Sequence, residues 1–430
     1  MRGAATVTAV RIRPGPVLGS VRAPPSKSYT HRALVIGHLT RRPFEVRHPL
    51  DADDTRATAN AVARLGSPVS RGRDVWRLGP VSERRRAAPV RIDCRESGTT
   101  LRFVAALAAL ADRPIVLAGS RRLAARPMDE LLRELTVLGA RCRHLTTRGL
   151  PLEIRGPIQG GAVSLDASQS SQFASALLLV LPTRDEDSTL ELRGSVVSEP
   201  YLDATLAALA HHGVRVERRG TRFRIPGRQR FRRSRFRVPG DASSAAYLWA
   251  AAALGGGTVR VRGIPAGWPQ ADLAVLDLLA STGADVRKNP DGATVSAGKR
   301  TPFRVDLTDA PDLYPLAGVL AATAPGTSRL AGAEHVVLKE SDRRVGTARL
   351  ARQFGARVRA SKSGLVIEGT ASPRAISIPN ATDHRMVMSA AVGALAGDDA
   401  SVVGRAESVR KSFPGFWDSL TELSRGRQRW

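Results

Sequence analysis

Cysteine, aromatic residues, lysine and long apolar runs are all scarce in this chain of 430 residues. Its two cysteines, Cys94 and Cys142, cannot build a disulfide framework, and neither stands at a spacing typical of metal ligands. The longest apolar runs, such as 173–182 and 245–254, are well short of the roughly 18 residues that cross a bilayer. The first residues lack the apolar core of a signal peptide, so we expect a cytoplasmic protein that does not associate with membranes.

The net charge of +27 is the feature that most suggests a nucleic-acid partner, because basic side chains neutralise phosphates. The strongest local case is the run GRQRFRRSRFR at 227–237. However, arginines occur throughout the chain and aromatic residues make up only 4%, so platforms on which bases could stack are scarce. Alternation of Phe231, Arg233, Arg235 and Arg237 is instead typical of a half-exposed strand. We expect no nucleic-acid partner, and the charge favours small anionic substrates.

Lysine is the rarer cation, with six residues among the 66 that are basic. Three of them, Lys27, Lys339 and Lys411, stand in the polar motifs SKS, LKESDR and RKSF. A lysine ammonium can contact a phosphate and exchange a proton, whereas an arginine stays protonated. We therefore interpret these three lysines as functional rather than as solvated surface residues.

A helix-like stretch that ends in glycine and leads into a β-like run recurs about every 72 residues. Glycine is the residue expected just after a helix, where the backbone turns into left-handed space. The recurring glycines are Gly66, Gly139, Gly213, Gly283, Gly355 and Gly426.

A second series of helix-like segments alternates with the first at the same period. Each begins with Ser, Thr or Asp, the residues that cap helix N-termini, and is apolar nearly all round, which predicts a buried helix. The segments begin SKSYTHRA, SGTTLRF, SSQF, DASSAAY, PDLYP and DHRM. With β-rich segments between them, the two series predict six α/β modules, arranged as two domains of three with buried helices inside and sheets outside.

No common cofactor or metal motif occurs in the chain. There is no Walker A sequence, no dinucleotide-binding fingerprint, and no nucleophile elbow of the G-x-S-x-G type. The adjacent pair His211–His212 is typical of a helix C-terminus rather than of a metal site. We therefore expect neither a metal nor a cofactor.

Ten short motifs occur in a fixed order over about 390 residues: SKSYTHRA, ESGTTLRF, ARPM, SSQF, VSEPY, GDASSA, PD, LKESDR, DHRM and KSFPGF. Together they resemble the enolpyruvyl transferase family of EPSP synthases (3-phosphoshikimate 1-carboxyvinyltransferases). The resemblance implies a two-domain inside-out α/β barrel with six βαβαββ repeats, three per domain. It implies a discontinuous domain of 1–23 with 240–430, a second domain of 24–239, and an active site in the cleft between them.

The same resemblance implies transfer of the enolpyruvyl group of phosphoenolpyruvate to the 5-hydroxyl of shikimate 3-phosphate, with release of phosphate. The family pattern implies that shikimate 3-phosphate contacts Lys27, Ser28, Arg32, Ser170, Ser171, Gln172, Ser198, Tyr201, Asp312 and Lys339. It implies that phosphoenolpyruvate contacts Lys27, Gly98, Arg126, Gln172, Arg343, Arg385 and Lys411. By the same match Asp312 is the general base, Glu340 the acid that protonates the methylene carbon, and Lys27 the group touching both substrates. We expect a monomer.

Three positions depart from the commonest family pattern. Glu96 and His335 stand where many members carry Asn, and Phe103 stands where a smaller residue or Pro is frequent. Two alternatives stay open. The sister enzyme that uses UDP-N-acetylglucosamine usually carries Cys or Asp in the loop before the arginine matching Arg126, and the loop AGSRRLAAR has neither. An inactive basic relative that binds nucleic acid is disfavoured by the intact Lys27 and the two carboxylates.

Overall fold

The computed structural model describes residues 9–82, 89–332, 334–361, 363–381 and 383–428. Contacts between Cα atoms divide the chain into two compact units. We call Met1–Pro24 with Gly240–Trp430 the discontinuous unit, and Pro25–Pro239 the continuous unit. Two strands of the discontinuous unit, β1 (Val10–Ile12) and β2 (Leu18–Arg22), come before the chain enters the continuous unit.

The continuous unit repeats the order βαβαββ three times. Its helices are α1 (Lys27–Leu39), α2 (Asp53–Arg64), α3 (Gly98–Ala108), α4 (Arg121–Ala124), α5 (Asp129–Val137), α6 (Ser171–Val180) and α7 (Pro200–His211). Its strands are β3 (Phe44–Arg47), β4 (Val69–Arg71), β5 (Val75–Leu78), β6 (Val90–Asp93), β7 (Ile115–Ala118), β8 (Arg141–His144), β9 (Leu152–Arg155), β10 (Ala162–Asp166), β11 (Ser188–Arg193), β12 (Glu217–Arg219), β13 (Arg222–Ile225) and β14 (Arg235–Arg237).

Each repeat of this unit forms a four-stranded sheet with one parallel and two antiparallel pairings. The strand orders are β14-β3-β5-β4, β6-β7-β9-β8 and β10-β11-β13-β12. The first sheet takes its parallel strand, β14, from the end of the unit, so the last strand of the unit completes the first repeat. Side chains of β11 alternate between buried and exposed, as a sheet with one face against a core requires.

The discontinuous unit follows the same plan. Its helices are α8 (Ala242–Gly255), α9 (Ala274–Ser281), α10 (Tyr314–Ala322), α11 (Arg343–Gln353), α12 (His384–Gly393) and α13 (Phe416–Leu423). Its remaining strands are β15 (Thr258–Arg262), β16 (Asp285–Asn289), β17 (Gly292–Ser296), β18 (Arg304–Asp306), β19 (Gly326–Ala331), β20 (Arg357–Ser361), β21 (Gly364–Gly369), β22 (Ser377–Ile378) and β23 (Ser401–Val403). They form the sheets β16-β17-β15-β2, β18-β19-β21-β20 and β1-β23-β22.

The core of each unit is a group of apolar helices, as the second sequence series predicts. In the continuous unit α1, α3 and α6 pack against one another, and in the discontinuous unit α12 packs against α8 and α10. Helix α8 is buried on all sides, including the aromatic rings of Tyr247 and Trp249. Within the part of the chain that the structure describes, no helix is long and apolar enough to cross a membrane.

The glycine series marks helix ends in both units. All six glycines have positive φ, for example 78° at Gly213 and 92° at Gly283. Five of them stand two residues after the last helical residue, where a left-handed backbone closes the helix without a Cβ clash. The sixth, Gly426, stands three residues after the end of its helix. It follows Arg425, which itself has φ of 53°.

The prediction for 227–237 is only partly right. A strand forms at Arg235–Arg237, where Phe236 is buried between two exposed arginines. Phe231 is also buried, but it precedes the strand and does not continue the alternation. The ladder with β3 runs from Arg235 to Arg237, and the N–H of Glu45 in β3 also donates to the carbonyl of Ser234 just before it.

Candidate active site

In the continuous unit, helix α1 brings Lys27 and Arg32 to one end of the buried helices. Ser26 caps the helix by accepting a hydrogen bond from the backbone N–H of Tyr29, and Lys27 is the first helical residue. The Lys27 Nζ atom lies 3.1 Å from Oδ2 of Asp54, in the first turn of α2. The ammonium is therefore anchored by a nearly buried carboxylate while 18% of its side chain stays exposed.

Arg32 is buried, and its hydrogen bonds within the described residues go only to neutral acceptors. Its guanidinium donates to Oγ1 of Thr205 at 2.8 and 2.9 Å, to the carbonyl of Tyr201 at 2.7 Å and to the carbonyl of Ser28 at 3.0 Å. It also lies 5.6 Å from the ring centroid of Phe103, which gives this unusual family position a packing role. Burial lowers the pKa of Arg32 to about 10. A buried cation without a carboxylate partner is suited to receive an anionic ligand.

Gly98, the first residue of α3, lies against two guanidinium groups. A Cβ at this position would stand 2.5 Å from Nη1 of Arg126 and 2.8 Å from Nη1 of Arg102. A side chain at this position would therefore displace one or both guanidinium groups from the first turn of the helix. The cap residue Ser97 accepts a hydrogen bond from the N–H of Thr100, so the turn itself is regular.

Gln172 is oriented by Arg102, which the sequence analysis did not select. Its Oε1 accepts a hydrogen bond from Nη1 of Arg102 at 2.7 Å, and its Nε2 donates to Oγ1 of Thr99 at 3.2 Å. Arg102 also stacks over Phe173 at 5.2 Å and donates to the carbonyl of Pro127. A charged residue inside the otherwise apolar segment GTTLRFVAALA was the available signal.

The remaining predicted residues of this unit lie at the starts of α6 and α7. Ser170 caps α6, and Ser171 is its first, buried residue. Ser198 is buried just before α7 and has φ of 58°, an uncommon value for a residue with a side chain. Tyr201 lies in the first turn of α7, where its carbonyl accepts from Arg32.

In the discontinuous unit, Asp312 does not cap its helix as the sequence suggested. It lies in a 3-10 turn, Pro311–Leu313, and α10 begins at Tyr314 without a side-chain cap. The physical reason is competition: Oδ1 of Asp312 accepts from Arg343 at 2.6 Å, and Oδ2 accepts from Arg385 at 2.6 Å. Two charge-assisted hydrogen bonds outweigh a neutral cap.

Arg343 is the centre of this cluster and is almost fully buried. Its guanidinium donates to Asp312, to Oε2 of Glu340 at 2.8 Å and to Oδ2 of Asp383 at 2.9 Å. Burial alone would lower the pKa of Arg343, but the carboxylates of Asp383, Glu340 and Asp312 raise it. The side chain thus fixes three acids at once.

Asp383 is the second residue that the sequence analysis did not select. It caps α12 by accepting from the N–H of Arg385, while its other oxygen accepts from Arg343 and from the hydroxyl of Ser341. Burial alone would raise its pKa, but the charge of Arg343 holds the pKa of Asp383 below its usual range. The sequence predicts that the Asp of DHRM caps a helix, but it does not predict the contacts of this residue with Arg343 and Ser341.

The two predicted lysines of this unit lie beside the acids. The Nζ atom of Lys411 is 3.9 Å from Oε1 of Glu340.

Burial alone would raise the pKa of Asp312, but the positive charges of Arg385, Arg343 and Lys339 hold it well below its usual range. His335 is buried near the same group, and burial followed by the charge of Lys339 lowers its pKa to about 4.

The continuous unit thus places Lys27, Gly98 and Gln172 in the first turns of three helices, where free backbone amides favour anions. The guanidinium of Arg126 lies against Gly98, and that of Arg32 reaches back to the first turn of α1. The discontinuous unit gathers carboxylates that arginines hold in place. In the described ranges, no group of three or more His, Cys, Asp or Glu residues has a geometry that could hold a metal ion.

Comparison with solved structures defines the class of fold. The chain matches an EPSP synthase from Acinetobacter baumannii with a TM-score of 0.79 at 23% identity, covering 97% of this chain and 98% of that one. It also matches an enolpyruvyl transferase from Streptomyces tendae with a TM-score of 0.78 at 16% identity, covering 97% of each. The fold is that of the enolpyruvyl transferases, an inside-out arrangement of α/β repeats in two domains.

Comparison of sequences identifies the family. The sequence model of the EPSP synthase (3-phosphoshikimate 1-carboxyvinyltransferase) family matches residues 12–420. A 3-phosphoshikimate 1-carboxyvinyltransferase from Halobacterium salinarum is 39% identical over 96% of this chain and 98% of the relative. One from Thermococcus kodakarensis is 40% identical over 95% and 98%. The chain therefore belongs to the EPSP synthase family, and the resemblance stated from its motifs is confirmed.

Proposed function

We propose that this protein transfers the enolpyruvyl group of phosphoenolpyruvate to the 5-hydroxyl of shikimate 3-phosphate and releases phosphate. Membership of the EPSP synthase family supports the reaction, and the motifs of both units support the assignment of residues. The single observation that carries the assignment is the Arg343 cluster, in which three carboxylates are held within 2.6–2.9 Å of one buried guanidinium.

Shikimate 3-phosphate is assigned to residues of both units. In the continuous unit the ligands are Lys27, Ser28, Arg32, Ser170, Ser171, Gln172, Ser198 and Tyr201. Asp312 and Lys339 complete the set in the discontinuous unit. The support is chemical: hydroxyl groups and a buried cation bonded to neutral acceptors suit a phosphorylated, hydroxyl-rich ring.

Phosphoenolpyruvate is assigned to Lys27, Gly98, Arg126, Gln172, Arg343, Arg385 and Lys411. Bidentate guanidinium groups match the planar carboxylate and the phosphate of this substrate. Without a side chain at Gly98, the guanidinium groups of Arg126 and Arg102 lie directly against the first turn of α3, and this combination of cations and backbone amides supports the binding of an anion there.

The proposed chemistry is addition followed by elimination. In the addition, Asp312 takes the proton of the 5-hydroxyl as its oxygen bonds to C2 of phosphoenolpyruvate, Glu340 protonates the methylene carbon, and Lys27 stabilises charge at the point of transfer. In the elimination, the C–O bond to phosphate breaks, the methyl group returns a proton to the Glu340 carboxylate, and phosphate leaves with the proton held by Asp312. With both arginines bonded to it, Asp312 is a weak base. Binding of an anionic substrate would share those guanidinium groups and raise the pKa of Asp312 towards the value that the reaction needs.

The direct test is phosphate release from phosphoenolpyruvate with purified protein. We expect release with shikimate 3-phosphate and none with UDP-N-acetylglucosamine as the parallel acceptor. Mass spectrometry should show a product heavier than shikimate 3-phosphate by one enolpyruvyl group. Release with the nucleotide sugar alone would assign the protein to the sister activity, and no release with either acceptor would contradict the proposal.

Three further expectations belong to the proposal. We propose that the protein works in the cytoplasm, as a monomer, and without nucleic acid as a partner. Light scattering coupled to size-exclusion chromatography measures the mass in solution directly. A mass near twice 45.9 kDa would contradict the monomer.

A further inference from the structure

A chain of buried hydroxyl and imidazole groups links the three helices that begin at the proposed site in the continuous unit. Nδ1 of His31 in α1 lies 2.7 Å from Oγ1 of Thr58 in α2, which lies 2.7 Å from Oγ1 of Thr100 in α3. All three side chains are completely buried. None of them is among the residues proposed to touch a substrate.

The chain ends on groups that hold the site in place. Oγ1 of Thr100 lies 2.8 Å from Oγ of Ser97, the cap of α3, and 3.2 Å from the carbonyl oxygen of Asp54. The Asp54 carboxylate anchors Lys27, and Ser97 immediately precedes Gly98. The same hydroxyl therefore reaches the backbone of the lysine anchor and the turn that carries Gly98.

The direction of the hydrogen bonds follows from His31. Its Nε2 is buried and has no hydrogen-bond partner in the described part of the chain. A neutral ring with its proton on Nδ1 donates to Thr58, Thr58 then donates to Thr100, and Thr100 donates to Asp54 or Ser97. The ring stays neutral because burial lowers the pKa of His31 to about 3. Each donor in the chain then has an acceptor within hydrogen-bond distance.

We propose that His31, Thr58 and Thr100 form a positioning chain that sets the relative register of α1, α2 and α3 and thereby places Lys27 and the Gly98 turn for enolpyruvyl transfer. This inference rests on the proposed function. The three groups are positioning residues, because they act through Asp54 and Ser97 and not on a reacting atom.

The test compares Thr58→Val, which keeps the shape and removes the hydroxyl, with Thr58→Ser, which keeps the hydroxyl. Thr323→Val is the matched control: Thr323 is equally buried just after α10 of the other unit, and its hydroxyl donates to the α10 carbonyls of Val319 and Leu320. We expect Thr58→Val to lower kcat/KM for phosphoenolpyruvate by about 10- to 100-fold, because small misplacements of catalytic groups have effects of this size. Thr58→Ser should recover most of the loss.

A second measurement does not depend on the reaction. Labelling of amines followed by mass spectrometry compares the reaction rate of Lys27 with that of exposed Lys288 in the same sample. We expect Thr58→Val to change this ratio severalfold and Thr323→Val to leave it unchanged.

The outcomes separate the two proposals. Wild-type protein that releases no phosphate overturns the proposed function, and the labelling ratio still decides whether the chain holds Lys27. Active protein in which Thr58→Val behaves like Thr323→Val in both measurements overturns the positioning chain. A loss that Thr58→Ser fails to restore also overturns it, since the hydroxyl would then not be the group that matters.

Discussion

Arg32 of the continuous unit and Arg343 of the discontinuous unit are both buried arginines with opposite surroundings. Arg32 donates to a threonine hydroxyl and two carbonyls, whereas Arg343 donates to three carboxylates. Burial lowers the pKa of Arg32, while its acidic neighbours outweigh burial and raise the pKa of Arg343. The protein therefore contains one buried arginine whose hydrogen-bond acceptors are neutral and one whose charge is balanced by three carboxylates.

This difference indicates that the two arginines have different functions. A guanidinium with neutral partners keeps its charge available for an incoming anion, at a cost in desolvation. The charge of a guanidinium with three acids is already balanced by them, and it holds those acids in fixed positions until an anionic substrate shares it. On the proposed function, the continuous unit contributes more to holding the phosphate ester, and the discontinuous unit contributes the groups that move protons.

The largest expected effect is on proton transfer in the discontinuous unit. Glu340→Gln should lower kcat by about 10²- to 10⁴-fold, because an amide cannot donate the proton, while KM for both substrates changes little. Steady-state assays of phosphate release measure both constants. Asp285→Asn, at an exposed acid of the same unit, should behave as wild type. Near-normal kcat in Glu340→Gln would remove Glu340 from the chemistry.

The two arginines should differ in stability when each is replaced by Met. Arg343→Met removes the buried guanidinium that three acids share and should lower the free energy of unfolding by about 3–5 kcal/mol. Arg32→Met removes a buried charge that has neutral partners, so the change should stay within about 1 kcal/mol. Urea unfolding measures both values. Equal losses in the two variants would contradict the difference in compensation.

Acid should destabilise the continuous unit first. Burial lowers the pKa of His31 to about 3 and of His38 and His212 to about 4, whereas the discontinuous unit has His335 at about 4. Unfolded histidines bind protons near pH 6.5, so each of these removes up to about 1.4 kcal/mol of stability per pH unit as the pH falls from 6.5 towards 4.

Hydrogen exchange at pH 6.8 and pH 4.8, corrected for the intrinsic rate, measures this difference helix by helix. Protection should fall more in α1 and α7 than in α10. The low pKa values of Asp312 and Asp383 affect the discontinuous unit only at still lower pH, since their stabilising charge is lost below the usual carboxylate range. Equal loss of protection in both units at pH 4.8 would contradict the prediction.

The smallest expected effect is the loss of stability when a glycine that ends a helix is replaced, and it should be equal in the two units. Gly139 and Gly355 both follow a helix with positive φ, and a Cβ there would meet its nearest atom at 3.9 and 3.7 Å. Only backbone strain then remains, so Gly139→Ala and Gly355→Ala should each cost about 1–2 kcal/mol of unfolding free energy. Thermal or urea unfolding compares the pair. A difference above about 1 kcal/mol would show that the two scaffolds are not equivalent.

Much of the scaffold follows from local sequence signals. Five of the six buried helices begin after the predicted Ser or Asp cap, and the glycine series marks where the alternating helices end. These features depend on neighbours within four or five residues, so a single sequence contains them. The exception, Asp312, lost its cap role to arginines 31 and 73 positions away.

Most of the site residues were predicted from the family resemblance. The residues that it did not include take part in contacts between positions that are far apart in the sequence. Arg102 orients Gln172 across 70 positions, and Asp383 binds Arg343 across 40. Neither contact has a periodic or compositional trace, because it depends on how helices of different repeats pack. Phe103 is a similar case: only the structure shows that its ring lies under the Arg32 guanidinium.

The order of strands also bears on synthesis of the protein. The continuous unit contains every strand of its three sheets, so it can complete them once β14 has left the ribosome. By contrast, β2 must wait for β15, and Val10 of β1 pairs with Val403 of β23, almost the full length of the chain away. Such pairings have high contact order and form slowly. The discontinuous unit should therefore be the last to fold and the one that depends most on protection from aggregation during translation.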